Sequence, residues 1–569
     1  MCLGEYTLCL VGGTLIGKVS VVLEMPQKNG DEDPLEKSGI TDSGVAPIFR
    51  ATGVVSAFTM LSRVFGLVRD MVLARVIGAD MLADVFFVAF KIPNFFRRLF
   101  AEGAFAQAFI PVLGEYREHG TNAAVRELVS RVFGTLGITL IFLTLAVVSF
   151  APFFAALFAP SWYFNSPEKF EATASMLRVT FPYLMFISLT GVAGAILNSY
   201  DRFAVPSFTP ILLNVSMILA AIFATSWFDR PAFALAWGVL IAGLIQLTFQ
   251  LPFLRRIHML PAPVIDWHHP GVIKILTLMG PAIFGVSVSQ INLLFDTILA
   301  TFLPTGSVSW LYYSDRIAEL PLGVFGVAIA TVILPSLSRN YASKSSILFS
   351  ETLEWAITLV FMVALPATIA LMMLAEPILM TLFYYGDVMT LLDMEMATLS
   401  MRAYASGLIA FMLIKILAPG FFARQDIRTP VRIGILAMVA NMVLNLIFLS
   451  VLHFYWQIGH VGLALATSLS AYINAGLLYL ELKKQGVYLS VGDLGRFIKP
   501  LTIALTFMTL ILLFMMIYFG VYNAVGWEEI DGLGRFLRLM FICGVACVGY
   551  LAALWAFGVR YADLLGPRE

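Results

Sequence analysis

Charge is what this chain has least of. Only 13% of its 569 residues are Asp, Glu, Lys or Arg, whereas 60% are hydrophobic and the mean hydropathy is +0.88. A water-soluble domain needs polar side chains to cover its surface, so that class is excluded and lipid is the solvent for most of the length. Histidine is also sparse. His119, His258, His268, His269, His453 and His460 all lie in or near short loops without a partner motif. No glycine-rich loop precedes a Lys and Ser/Thr pair, which argues against an ATP motor. Of four cysteines, Cys2 and Cys9 lie in an N-terminal leader, and Cys543 and Cys547 stand one helical turn apart in an apolar run. Neither a disulfide nor a metal site is expected there, and both read as small apolar filler. Lys plus Arg equals Asp plus Glu at 36 each, so net charge identifies no partner and no nucleic acid is expected. The placement of the charges is more informative.

Apolar runs long enough to cross a bilayer, about 20 residues each, recur about fourteen times between Thr52 and Phe557. Lipid cannot satisfy stray backbone donors, so these runs must be helices. With the N-terminus taken as cytoplasmic, the even-numbered connections hold about 16 Lys and Arg residues. The odd-numbered ones hold about 3: Arg75, Lys169 and Arg230. That asymmetry puts both termini in the cytoplasm. The odd connections also hold the acidic groups Asp387, Asp393 and Glu395, and Glu528, Glu529 and Asp531.

The chain echoes itself about 220 residues apart. Gly103-Ala-Phe-Ala-Gln-Ala-Phe-Ile-Pro111 is paired with Gly326-Val-Ala-Ile-Ala-Thr-Val-Ile-Leu-Pro335, and Asp201-Arg-Phe-Ala-Val-Pro206 with Asp426-Ile-Arg-Thr-Pro430. The expected architecture is all-α, with two pseudo-symmetric six-helix lobes (47–255 and 256–485) followed by two extra helices (486–569). Facing repeats of this kind enclose a central cavity. Residues 1–46 read as an atypical leader without a basic start or a clear cleavage site, disordered over Met25–Val45.

An ionised side chain at mid-bilayer costs at least about 2.5–3.5 kcal/mol, so it faces the protein interior. The first span holds Arg63, Arg69 and Asp70, and the second holds Asp84, Lys91, Arg97, Arg98 and Glu102. Positions 84, 91, 98 and 102 share one helix face, and Pro93 interrupts the helix there, as is tolerated along a cavity. The eighth span holds Asp315, Arg316 and Glu319, and the tenth holds Arg402 and Lys415. Salt bridges between helices, or snorkelling at helix ends, are the plain reading for Asp70, Glu102, Glu319, Arg402 and Lys415. Arg63, Arg69, Arg97 and Arg316 exceed the acids that would neutralise them. Their planar forks suit an oxyanion, a phosphate or diphosphate.

Asp296 has no basic neighbour in sequence. With Asn441, Asn445 and Thr467 from two later spans it would supply hard oxygen ligands suited to sodium. The alternative is a carboxylate hydrogen-bonded to interior amides.

Ser62-Arg-Val-Phe-Gly-Leu-Val-Arg69-Asp70 and Asp84-Val-Phe-Phe-Val-Ala-Phe-Lys-Ile-Pro-Asn-Phe-Phe-Arg97-Arg98-Leu-Phe-Ala-Glu-Gly-Ala-Phe closely resemble the MurJ (MviN) family. So do Ser307-Val-Ser-Trp-Leu-Tyr-Tyr-Ser-Asp315-Arg316 and Leu417-Ala-Pro-Gly-Phe-Phe-Ala-Arg-Gln-Asp426. The resemblance runs from about Pro47 to the C-terminus. It implies a fourteen-helix fold of the multidrug/oligosaccharidyl-lipid/polysaccharide exporter superfamily in the bacterial cytoplasmic membrane. It implies a lipid II flippase rather than an enzyme, moving undecaprenyl-diphosphate with its disaccharide-pentapeptide from the inner to the outer leaflet by alternating access. By motif match, Arg63, Arg69 and Arg316 would bind the headgroup, with Arg97, Asp84 and Asp315 also functional and Lys91 on the same face. The last two spans would hold the lipid tail. No cofactor is implied beyond coupling to Na+ or the membrane potential. The implied partners are lipid II, membrane lipids and cell-wall synthesis proteins. An O-antigen type flippase is the nearest alternative, and a membrane-embedded glycosyltransferase the alternative from another class. A cationic-drug exporter would want acidic and aromatic cavity walls instead.

Overall fold

With no water to satisfy the backbone, such a chain must close its hydrogen bonds within helices. The computed structural model describes residues 45–385, 388–488, 494–521 and 524–564, all helix and connecting loop with no strand among them. Residues 1–44, Asp387 and the side chain of Glu102 lie outside the described residues, and with them the expectation of a disordered leader.

α1 (Val45–Ile77) turns at Gly78 into α2 (Met81–Phe96), which Asp80 caps by accepting from the Ala83 N–H. Beyond Pro93 the second span passes through a π-helical segment, Arg97–Phe105, into α3 (Ala106–His119). α4 (Asn122–Ser149) starts at a Thr121 cap, and the short α5 (Ala151–Phe158) and α6 (Pro160–Asn165) lead to α7 (Pro167–Thr180). α8 (Tyr183–Ser199), α9 (Ala204–Leu219) and α10 (Pro231–Arg256) complete the first half. Pro at the first position of α7 and α10 suits a helix start, where its missing N–H has no partner to lose.

The second half opens with α11 (Pro270–Ala300) and α12 (Ser307–Pro321), followed by a π turn, Leu322–Gly326, and α13 (Val327–Ala342). Then come α14 (Ser346–Met373), α15 (Ala375–Phe383), α16 (Leu391–Ser406) and α17 (Leu408–Phe422). α18 (Arg428–Trp456), α19 (Gly459–Lys484), α20 (Leu494–Tyr518), α21 (Ala524–Glu528), α22 (Gly532–Ala556) and α23 (Tyr561–Leu564) follow. Among the described residues, eleven helices are long and apolar enough to cross a membrane.

The echoes in the sequence have structural counterparts. Both Gly103–Pro111 and Gly326–Pro335 begin in a π segment and end at a proline inside the next helix. At both Asp201 and Gln425 the chain takes a left-handed φ. The following residue then donates back across the helix end: Arg202 N to Leu197 O (2.9 Å), and Asp426 N to Phe421 O (3.1 Å). This is the Schellman closure that satisfies terminal carbonyls.

Residues 51–569 form one compact unit. Its helices are inside out relative to water-soluble ones. On α18 the apolar Leu436, Val439, Val443, Leu446 and Ile447 are exposed, whereas Asn441 and Asn445 are buried. Small residues bring helices close. A Cβ on Gly462 of α19 would meet the Phe448 backbone of α18 at 2.9 Å, the close approach that drives helix association in lipid. α20 and α22 pair with each other, and the Tyr550 hydroxyl ties α22 to the Met362 carbonyl of α14 (2.7 Å). Cys543 and Cys547 lie on α22 as free thiols.

Candidate functional site

A cavity of about 760 Å³ runs between the two halves, walled by α1, α2, α8, α9 and α10 on one side and α11, α12, α16 and α19 on the other. Its lining includes five cationic side chains, Arg69, Lys91, Arg97, Arg98 and Arg316, and three acidic ones, Asp296, Asp315 and Glu319. The wall is therefore formally positive, though less so than the arginines alone suggest.

At its wall two guanidiniums share one buried carboxylate. Arg69 donates through Nε (2.9 Å) and Nη2 (2.6 Å) to Asp70 Oδ1, and Arg316 Nε donates to Asp70 Oδ2 (2.9 Å). Arg69 is also held by Asn214 Oδ1 (3.0 Å) and the Tyr312 oxygen (3.0 Å), and the Tyr312 hydroxyl donates to Asp70 (2.9 Å). Phe87 stacks on Tyr312 with ring centroids 4.0 Å apart. Arg69 is 4% exposed and fixed on several sides, whereas 41% of the Arg316 side chain is open at the cavity it lines. One carboxylate cannot neutralise two guanidiniums, so the cluster carries a net positive charge with a rigid member and an available one.

Lys91, Arg97 and Asp315 line the same cavity. Lys91 Nζ lies 3.5 Å from Thr297 Oγ1, and Arg97 Nε donates to Asn94 (3.2 Å). Arg63 stands apart from the pair that shares Asp70. A Cβ on Gly323, in the π turn after α12, would overlap the Arg63 guanidinium, so this glycine is what admits the side chain against the turn.

Asp84 is not among the side chains that line the cavity. It is fully buried and caps α12: Oδ2 accepts from Gly306 N (2.8 Å), and Oδ1 accepts from Ser309 N (3.0 Å) and Ser309 Oγ (2.7 Å). Lys169 Nζ lies 3.8 Å away and donates to Thr305 Oγ1 (2.8 Å). A helix N-terminus offers unpaired N–H groups and a positive dipole end, so a carboxylate there is well satisfied without an arginine. Gly306 has φ +95° and no room for a side chain between Trp310 and the Ala79 carbonyl. The Tyr313 hydroxyl donates to the Gly78 carbonyl (3.0 Å). Together these contacts fasten the α1–α2 turn to the start of α12.

Asp296, Asn441, Asn445 and Thr467 come together from three helices. Asn445 Nδ2 donates to Asp296 Oδ1 (2.5 Å), and the Asn441 amide, in the orientation that pairs both its ends, donates to Asn292 Oδ1 (2.9 Å) and Asp296 Oδ1 (3.3 Å) and accepts from Thr467 N (3.2 Å). Side-chain amides thus donate to one oxygen of the carboxylate. Among the described residues no group of three or more His, Cys, Asp or Glu could hold a metal ion, so any cation here would depend on amide and hydroxyl oxygens.

Sequence reasoning passed over Asn214, Tyr312, Gln246 and Gln250. All are uncharged, so no intramembrane charge marks them in the sequence. Gln246 and Gln250 did carry a signal, as amides one turn apart in the apolar α10.

A family model described as lipid II flippase MurJ matches residues 73–528. The chain is 49% identical over 522 residues to a probable lipid II flippase MurJ of Vibrio cholerae serotype O1, covering 91% of this chain and 97% of that one. It is 45% identical over 520 residues to the protein of the same description in Haemophilus influenzae, covering 89% and 99%. Among solved structures, a lipid II flippase MurJ in an inward closed conformation matches with a TM-score of 0.72 at 24% identity, covering 90% of this chain and 99% of that one. An inward-facing MATE family multidrug resistance transporter of the MOP superfamily matches with a TM-score of 0.60 at 15% identity, covering 76% and 98%. These two likenesses concern the fold.

Proposed function

This chain belongs to the lipid II flippase MurJ family, and from that premise we propose that it carries lipid II from the inner to the outer leaflet of the cytoplasmic membrane. The observation that carries the proposal is the pair of guanidiniums on a single carboxylate at the cavity wall. A diphosphate is the group such a surplus of forked donors suits.

With both termini cytoplasmic, the contacts of Asp84 and Tyr313 lie toward the outer leaflet and the cavity opens inward. Arg316 takes the diphosphate first, because part of it is open. Arg69 and Asp70 hold the orientation behind it. Arg97, Lys91 and Asp315 line the headgroup's path, with Arg63 outside the cavity lining, against the π turn that follows α12. The polyprenyl tail stays in lipid along α20 and α22. Release of the α12 cap from Asp84 and reclosure on the other side would deliver the headgroup outward. A ligand moves such an equilibrium only by favouring one state over the other. An inside-negative potential of 100 mV contributes about 2.3 kcal/mol per charge moved, in the direction that exports an anion. Sodium at Asp296, Asn441, Asn445 and Thr467 is the second coupling route that the oxygen set supports.

Arg69→Ala and Arg316→Ala should each abolish complementation of a flippase-depleted strain while the protein still reaches the membrane. Lipid II in those cells should stay inaccessible from outside. Normal growth on both variants would remove the headgroup site.

A further inference from the structure

The wall that α9 and α10 give the cavity is polar but uncharged. Gln246 and Gln250 stand one turn apart on α10, line the cavity, and are 2% and 1% exposed. Each amide is committed through its nitrogen. Gln246 Nε2 donates to the Thr209 carbonyl (3.1 Å), and Gln250 Nε2 donates to the Thr209 hydroxyl (2.9 Å). That hydroxyl in turn donates to the Val205 carbonyl (2.9 Å), so the orientation of the set is fixed. Both Oε1 atoms are left without a donor among the described residues. Buried acceptors in native proteins are nearly always paired, and two unpaired ones on cavity-lining residues one turn apart call for an explanation. Gly191 and Gly194 of α8 also line the cavity and bring no side chain into it, and a Cβ on Gly194 would lie 3.8 Å from Gln250 Nε2.

We infer that Gln246 and Gln250 form a neutral acceptor subsite for O–H and N–H donors of the cargo beyond its diphosphate. This rests on the flippase reading and divides the cargo between two walls. A diphosphate carries acceptors, so it pairs with guanidiniums and cannot satisfy a glutamine oxygen. The hydroxyl, acetamido and peptide N–H groups of a glycopeptide can. A site with buried acceptors disfavours an analogue that lacks the matching donors, because the acceptors are then left unpaired in the complex. The arginine wall would recognise the linkage, and the α10 wall would recognise that something donor-rich is attached to it.

The test is the affinity of the full chain in nanodiscs for lipid II and for bare undecaprenyl diphosphate. Gln246→Met and Gln250→Met should each weaken lipid II binding about tenfold, the scale of one lost buried hydrogen bond, and leave undecaprenyl diphosphate within about twofold. Retained binding of the bare diphosphate also reports that the variant has folded. Gln250→Glu keeps an acceptor in place, so its ratio of the two affinities should stay nearer the parent's than that of Gln250→Met. Equal weakening of both ligands, an unchanged preference in both Met variants, or a Gln250→Glu ratio as low as Gln250→Met would each overturn the subsite. Arg316→Ala should weaken both ligands together. A parent chain that binds neither ligand would overturn the flippase reading itself, a result distinct from loss of preference.

Discussion

Asp70 and Asp84 are both buried, sit on neighbouring helices, and both reach α12, yet they do opposite things. Asp70 receives two guanidiniums and a tyrosine hydroxyl. Asp84 receives two backbone N–H groups and a serine hydroxyl, with an ammonium at 3.8 Å. In a low dielectric each carboxylate needs several donors, and the donors decide its role. By capping a helix, Asp84 leaves the cavity arginines un-neutralised. By holding two arginines at once, Asp70 keeps them close together without cancelling their charge.

The largest expected effect follows from removing the shared acid. Asp70→Ala strands two guanidiniums and should cost about 3–5 kcal/mol of stability, the range for breaking a buried ion pair. Thermal unfolding in detergent checks it, and a loss below about 1 kcal/mol would mean the arginines have other partners at hand. Asp84→Ala should cost less, about 1–3 kcal/mol, because it leaves N–H groups rather than charges unsatisfied. It should also loosen the α1–α2 turn from the start of α12, so that a cysteine placed at Ala79 reacts faster with an externally added thiol reagent. Equal reactivity before and after would break the assignment of Asp84 as a fastening. Lys169→Met should cost least of the three, about 1 kcal/mol or below, since Asp84 keeps its N–H donors. A loss larger than that of Asp84→Ala would make the ion pair, not the cap, the dominant contact. Asp296→Asn should leave unfolding unchanged and flatten any sodium dependence of transport. An unaltered sodium curve would exclude the ion role.

The fold was legible because hydrocarbon imposes a severe rule. Runs such as Ile433–Leu452 cannot be anything but helix, and the offset between the two echoes marks the repeat that reappears as paired π segments and paired Schellman ends. The grouping of Asp296 with Asn441, Asn445 and Thr467 was legible for the same reason, since polar side chains on apolar helices turn inward. The contacts of Asp84 and Arg63 were not. Both sit on the charge-bearing faces that the sequence singles out, but Asp84 is claimed by the start of α12, 222 residues further on. Arg63 is claimed by the space that Gly323 leaves in a π turn. Neither partner announces itself through charge, and no spacing rule predicts which helix end will lie within reach of which carboxylate.

The central claim is that an arginine pair with one acid between them captures a diphosphate. It is tested most directly by titrating undecaprenyl diphosphate onto the full chain in nanodiscs, with the parent, Arg316→Lys and Arg316→Ala side by side. The account predicts a stepwise loss, with Lys binding weakly because a point charge replaces a fork, and Ala binding little. Equal affinity across all three would contradict it.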